Sequence, residues 1–305
     1  MEKVIVVIGP TSVGKTKMGV ALAKKFNGEV ISGDSMQIYK QMDIGTAKVT
    51  EEEKEGIIHH CVDILNPDET YSVHDFQQTV RKKITEITQR GHVPIIVGGT
   101  GLYIKAADYQ FDEMENDHHA INEKYKDYTN EQLHDHLKSI DEESAKTLHF
   151  NNRRRVLRAI EIYETTGKRK SEMLEEQEHI CLYDAYFVGL TLPRDVLYER
   201  INKRVDVMME NGLKEEMDCL YSQGLTRNHQ SMKAIGYKEW FDYYDHQIDL
   251  NDVLELIKKH SRQYAKRQYT WFKNQFDVHW YDVNLENFEQ TIEQVTDDIE
   301  KILKV

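Results

Sequence analysis

The strongest chemical signature in this chain is Gly9-Pro10-Thr11-Ser12-Val13-Gly14-Lys15-Thr16, with two glycines framing four residues and followed by a lysine and a hydroxyl. Set between a buried strand and a helix, such a loop aims backbone N–H groups and a helix N-terminus at a di- or triphosphate. Lys15 then neutralises phosphate oxygens, and the Thr16 hydroxyl is a candidate ligand for Mg²⁺. The pattern points to pyrophosphate binding without deciding which reaction follows.

Two further turns carry polar groups to the same neighbourhood. Val93–Val97, the best candidate for a second central strand, ends in Gly98-Gly99-Thr100-Gly101 rather than in the Asp that hydrolases use to hold Mg²⁺ and position water. Glycines there suit a close backbone approach to a ligand, so a motor or switch NTPase loses ground. Ser32-Gly33-Asp34-Ser35-Met36-Gln37-Ile38-Tyr39 follows another strand. Carboxyl ends of neighbouring strands converge in a doubly wound sheet, which aims Asp34 at the phosphate loop as a metal ligand or proton acceptor. The plainer role for an Asp after a strand is to cap the next turn. Gln37 and Tyr39 offer an amide and a ring of the kind a purine uses.

The net charge of −13 argues against nucleic acid only until its distribution is read. Residues 112–146 carry −7 and residues 282–305 carry −5, whereas 152–170 carry +5 and 258–273 hold six bases and no acid. On a helix, Lys259, Arg262, Lys266, Tyr269 and Lys273 share one face, with Tyr264, Arg267 and Trp271 beside it. Cations interleaved with aromatics suit phosphate contact and base stacking on single-stranded RNA. A basic solvated face with its rings in the core explains this tract equally well alone; Arg153-Arg154-Arg155-Val156-Leu157-Arg158 tips the balance.

The elements that must position these groups read as alternating strand and helix. Strands are expected at Val4–Ile8, Val30–Ser32, Val62–Ile64, Val93–Val97, Tyr186–Leu190 and Val278–Val283. Helices are expected at 15–26, 73–90, 151–165, 196–211, 213–223, 234–245 and 253–272, with an amphipathic one at the C-terminus. The fold class is therefore α/β: a P-loop NTPase-like parallel sheet core flanked by helices. Residues 1–111 and 147–305 form that core, including the helical C-terminal part, and the acidic stretch 112–146 is a small helical insertion. Three dispersed cysteines exclude a disulfide framework, and Val4–Ile8 is too short for a signal peptide or membrane span, which together point to the cytoplasm. His59-His60 and His118-His119 are adjacent pairs whose rings point apart, a poor metal geometry, and His134 and His136 are expected to be solvated.

Taken in order, the segments resemble the tRNA dimethylallyltransferase (isopentenyltransferase) family in its bacterial form. The matching stretches are GPTSVGKT at 9–16, SGDSMQIY at 32–39, MDIGTAK at 42–48, GGTGLY at 98–103 and RRRVLRAIEIYETTGK at 153–168. They continue with LYERINKRVDVMMENGL at 197–213, AIGYKE at 234–239 and RQYAKRQYTWFK at 262–273. The resemblance implies transfer of a dimethylallyl group from its diphosphate to N6 of the adenosine at tRNA position 37, beside the anticodon. It implies Asp34, Thr100 and Arg204 as catalytic groups, with Asp34 taking the amine proton, and Mg²⁺ at Thr16 with the Gly9–Thr16 loop on the diphosphate. It assigns tRNA contacts to Asp34, Ser35, Met36, Gln37, Thr100, Arg154, Arg155, Arg158, Lys233, Arg262, Lys266, Arg267 and Trp271. The partners it implies are tRNA and dimethylallyl diphosphate, with no membrane and no protein partner, so that the enzyme works as a monomer. Ser12-Val13 stands where this family commonly has Ala-Ser. Three alternatives stay open: prenylation of free adenine nucleotides, a small-molecule P-loop kinase, and a non-catalytic RNA binder.

Overall fold

Val4 to Ile8, the apolar run that opens the chain, are all inaccessible to water in strand β1 (Lys3–Ile8). The structure is a computed structural model and describes residues 1–108, 118–176 and 180–303. After β1 come α1 (Lys15–Lys25), β2 (Gly28–Ser32), α2 (Glu51–Lys54), β3 (His59–His60), α3 (Val73–Gln89), β4 (Val93–Val97) and α4 (Gly101–Asp108). The chain continues through α5 (His118–Lys124), α6 (Asn130–Ile140), α7 (Glu142–Thr147), α8 (Arg153–Thr166) and α9 (Lys170–Glu176). It closes with β5 (Asp184–Thr191), α10 (Arg194–Glu210), α11 (Leu213–Ser222), α12 (Trp240–Tyr244), α13 (Leu250–Gln275), β6 (His279–Asp282) and α14 (Phe288–Leu303).

Among the described residues the strands form one parallel sheet in the order β3-β2-β4-β1-β5-β6. Successive residues of a strand face opposite sides. Val4, Val6 and Ile8 accordingly pack in a core with Phe76, Val80, Ile84 and Ile87 of α3. Ile5 and Val7 pack on the other side with Met18 and Leu22 of α1 and with Val295 and Ile299 of α14. A strand covered on both faces has no polar side to show, which is why its sequence is an uninterrupted apolar run. The P-loop NTPase-like sheet expected from the sequence is therefore present. No helix among the described residues is long and apolar enough to cross a membrane.

Two compact units are seen, Met1–Tyr109 with Cys181–Val305, and Gln110–Ile180. The second unit runs beyond the acidic stretch 112–146 expected as the insertion, because α8 belongs to it. Val156, Leu157, Ala159 and Ile160 of α8 are buried with Ile121, Tyr125, Leu133 and Leu137, so composition alone misplaced the boundary. Residues 112–117 and the side chains of His118 and His119 lie outside the described residues. His134 is not solvated as expected: its Nε2 meets the carbonyls of Ala145 and Leu148 at 3.0 and 2.9 Å.

Two element expectations also needed correction. The third strand is His59–His60, not Val62–Ile64, because Cys61 and Asp63 adopt positive φ (62° and 55°) and turn the chain. The helix expected over 234–245 is reduced to Trp240–Tyr244. Gly236 sits at φ 97°, and its N–H is taken by the buried Glu239 carboxylate at 2.9 Å, which interrupts the helical hydrogen bonding.

Candidate active site

Strand register carries three turns to one level. Val7, Val97 and Ser32 are neighbours across β1, β4 and β2. Just beyond them, Gly33 N–H donates to Val97 O (2.8 Å) and Gly98 N–H to Val7 O (3.1 Å). The phosphate-type loop, the Gly98–Gly101 turn and the turn around Asp34 therefore leave the sheet side by side. A Cβ on Gly98 would fall 2.5 Å from the Gly33 carbonyl, so only a glycine lets these backbones approach.

In the Gly9–Thr16 loop the Lys15 ammonium folds back to donate to Pro10 O at 2.8 Å. Proline has no N–H, so Pro10 serves as an acceptor for Lys15 rather than as a backbone donor to an anion. Val13 is buried in the core and contributes no side chain to the loop's open face. Ser12, in the left-handed region at φ 67°, accepts from two arginines of α10: Arg200 Nε donates to its carbonyl (3.0 Å) and Arg204 Nη1 to its Oγ (3.5 Å). Arg204 thus reaches the loop through the Ser12 hydroxyl.

Electrostatics mark the same place. Burial and the neighbouring Arg204 push the Lys15 ammonium down to about 7, against the opposing pull of Asp34. Burial likewise lowers Arg204, with Glu53 and Asp34 opposing. Burial and mutual repulsion outweigh the carboxylates near these two cations, the condition that favours anion capture.

Asp34 plays the capping role and leaves an oxygen over. Its Oδ1 accepts from Met36 N–H (2.8 Å) and Gln37 N–H (3.3 Å), and its Oδ2 has no partner among the described residues. Thr100 lies alongside, its Oγ1 accepting from Ser35 N–H at 3.2 Å. Burial and Asp34 push the hydroxyl of the adjacent Tyr264 up to about 12, which keeps it a donor. The structure overturns one expectation about a purine contact, that of the Tyr39 ring, and shows how the Gln37 amide is held without a ligand. Tyr39 is fully buried, and the Gln37 amide is committed to Ala47 O (3.2 Å) and to the Ser32 hydroxyl (3.3 Å).

Asp34, Ser35, Met36 and Arg204 line one cavity of about 340 Å³ with Thr11, Ser12, Lys233, Lys238 and Arg267. One wall is apolar: Ile201, Val205 and Met208 from α10 and Ile257 from α13. The donor set is hard oxygen (the Thr16 hydroxyl and the Asp34 carboxylate), and no group of three or more His, Cys, Asp or Glu exists among the described residues. That chemistry fits a Mg²⁺ held chiefly by a substrate's phosphates rather than by a protein cage.

The basic helix divides into free and committed cations. Lys266, Arg267 and Trp271 are exposed. Arg262 instead donates to Asn202 Oδ1 (2.5 Å), and Lys258 pairs with Asp206 (2.8 Å) and Glu255 (3.2 Å). Trp271 lies on the Gly101 backbone, so one edge of its ring is already used. In the second unit Arg154 and Arg155 are exposed, while Arg158 pairs with the buried Glu161 at 2.9 Å.

Three residues escaped the sequence reading. Arg200 carried a signal, since it lies four residues before Arg204 on one helical face. Glu216 accepts from Asp43, Ile44 and Gly45 N–H (2.9, 2.8 and 3.1 Å) and so holds the 45–47 wall of the cavity; nothing in its local sequence announces this. Gln268, buried within the basic tract, is the third.

Fold and site together define an α/β protein with a P-loop-type anion cradle opening into a mixed cationic and apolar cavity. The sequence model of the IPP transferase family matches residues 37–275. A tRNA dimethylallyltransferase of Bacillus cereus (strain AH187) is 54% identical over 92% of this chain and 90% of its own. The crystal structure of a tRNA delta(2)-isopentenylpyrophosphate transferase from Staphylococcus epidermidis is 46% identical, covers 99% of both chains and superposes with a TM-score of 0.74. A eukaryotic dimethylallyltransferase crystallised acting on tRNA is 33% identical, with 99% of this chain and 79% of its own covered and a TM-score of 0.87. This chain belongs to the IPP transferase family.

Proposed function

We propose that this chain transfers a dimethylallyl group from dimethylallyl diphosphate to N6 of the adenosine at tRNA position 37, releasing diphosphate. The observation that carries the reading is the shared cavity: Asp34 lines it together with Thr11, Ser12 and Arg204 at the mouth of the anion cradle. The Gly9–Thr16 loop and Lys15 grip the diphosphate, and Arg204 offsets charge as the allylic carbon–oxygen bond breaks. The Thr16 hydroxyl would hold a Mg²⁺ together with the diphosphate, and the ion would supply further charge neutralisation of the leaving group. The N6 lone pair attacks the allylic carbon, and its proton passes to Asp34, whose Oδ2 is the unengaged oxygen. Thr100 positions the amine, and the apolar wall of Ile201, Val205, Met208 and Ile257 takes the prenyl group.

On the acceptor side, Lys266 and Arg267 of α13 hold loop phosphates, Lys233 reaches the cavity edge, and Arg154 and Arg155 supply further charge. The same reading puts the enzyme at work as a monomer in the cytoplasm. The test offers unmodified tRNA and AMP as acceptors, and dimethylallyl diphosphate and ATP as donors, with products identified by mass. Prenylated adenosine in tRNA alone supports the reading. Prenylated AMP points to the free-nucleotide alternative, and phosphoryl transfer from ATP to a kinase.

A further inference from the structure

Gln268 is buried in the middle of α13, between the exposed Arg267 and Tyr269. A buried primary amide must satisfy both its oxygen and its nitrogen. Here Oε1 accepts from Thr11 N–H at 2.8 Å and Nε2 donates to Gly99 O at 3.0 Å. One side chain therefore joins the anion loop that follows β1 to the turn that follows β4. Tyr264, one helical turn earlier, donates to the same Gly99 oxygen at 3.3 Å. A Cβ on Gly99 would fall 2.2 Å from Gln268 Nε2, so this amide itself calls for a glycine at 99. Thr100 is the next residue, and its hydroxyl engages Ser35.

We propose that Gln268 is a positioning residue that holds the anion loop and Thr100 in register from within the basic helix, so that leaving group and attacking amine are presented at a fixed separation. The proposal rests on the reading above for the identity of the two substrates. Its logic is geometric, because displacing a reacting group by about 1 Å can cost on the order of 10²-fold in rate.

Gln268→Met keeps length and volume while deleting both hydrogen bonds. We expect kcat to fall about tenfold or more, with tRNA affinity and its salt dependence unchanged. Affinity for inorganic diphosphate should weaken severalfold, a readout that needs no turnover. In a Thr100→Ala background, Gln268→Met should lower kcat little further, because the two act through one turn. Gly99→Ala, which displaces the amide while leaving Gln268 in place, should reproduce the kcat loss and serves if Gln268→Met folds poorly. Equal kcat losses in both backgrounds, or unchanged kcat and diphosphate affinity, would overturn the proposal. A wild-type protein that prenylates nothing would defeat the functional reading instead, and the diphosphate comparison would still judge Gln268.

Discussion

Ser35 and Thr100, from turns at the ends of adjacent strands, hold one another by two hydrogen bonds: Ser35 N–H donates to Thr100 Oγ1 at 3.2 Å, and the Thr100 hydroxyl donates to Ser35 Oγ at 3.3 Å. The link fixes the Asp34 turn to the Gly98–Gly101 turn at the cavity. Thr100→Val keeps the shape and leaves Ser35 N–H without its acceptor, which costs about 1–3 kcal/mol where the group is enclosed. We expect about a tenfold or larger loss of kcat with tRNA affinity retained, measured by steady-state kinetics and filter binding. Wild-type kcat in the variant would remove Thr100 from the positioning of the amine.

Lys15, lowered to about 7 in the free protein, makes diphosphate binding a proton-linked event. At pH 8 the free ammonium is mostly neutral, and the arriving anion restores its proton. Binding at pH 8 should therefore take up close to one proton, seen as a calorimetric enthalpy that varies with the ionisation enthalpy of the buffer. The Lys15 contribution to affinity is full below pH 7 and declines as pH rises above it. Lys15→Arg, which does not titrate, should lose most of this uptake.

Lys266 and Arg267 are two of the exposed cations of α13, with Lys259 and Lys273, that pair with no carboxylate among the described residues. Replacing both by Ala should weaken tRNA binding and reduce the slope of log K against log salt by about 1–2. Titrations at several salt concentrations measure this, and an unchanged slope would remove α13 from the RNA interface.

Glu29 lies at the far end of β2 from the Asp34 turn and is buried. Burial by itself would raise this carboxyl, yet hydrogen bonds from Arg90 (2.7 and 3.1 Å), His60 (2.6 Å) and His92 (2.7 Å) outweigh it and hold it at about 2. Its folded-state value lies below the ordinary 4.5, so its stabilisation is complete above about 4.5 and is lost as pH falls toward 2. Glu29→Gln should lower stability at pH 7 by about 2–3 kcal/mol and flatten the acid limb of the melting profile. A melting temperature independent of this substitution would contradict the assignment.

The sheet was legible because strands buried on both faces must be apolar throughout, as in Val4–Ile8 and Val93–Val97. The cradle was legible because Gly14, Lys15 and Thr16 are chemically constrained within one short segment. Glu216 and Gln268 were not, since each acts on backbone more than 150 residues away and looks locally like any polar residue on a helix. Tyr39 misled for the converse reason: a ring close to Asp34 in the sequence says nothing about the side of the turn on which it packs. Charge counting found the basic α13 but could not show that Arg262 and Lys258 are already engaged by neighbours on α10 and along α13.

The most direct test of the account is a single-turnover reaction of labelled dimethylallyl diphosphate with an unmodified anticodon stem-loop RNA, comparing wild type with Asp34→Asn, followed by digestion to nucleosides. Asn keeps the oxygen that caps Met36 and Gln37 but cannot take a proton, so RNA affinity should persist while transfer slows by about 10²–10⁴-fold. With the wild type, the label should appear on N6 of adenosine. An Asp34→Asn protein that transfers at the wild-type rate, or a wild type that leaves the RNA unlabelled, would contradict it.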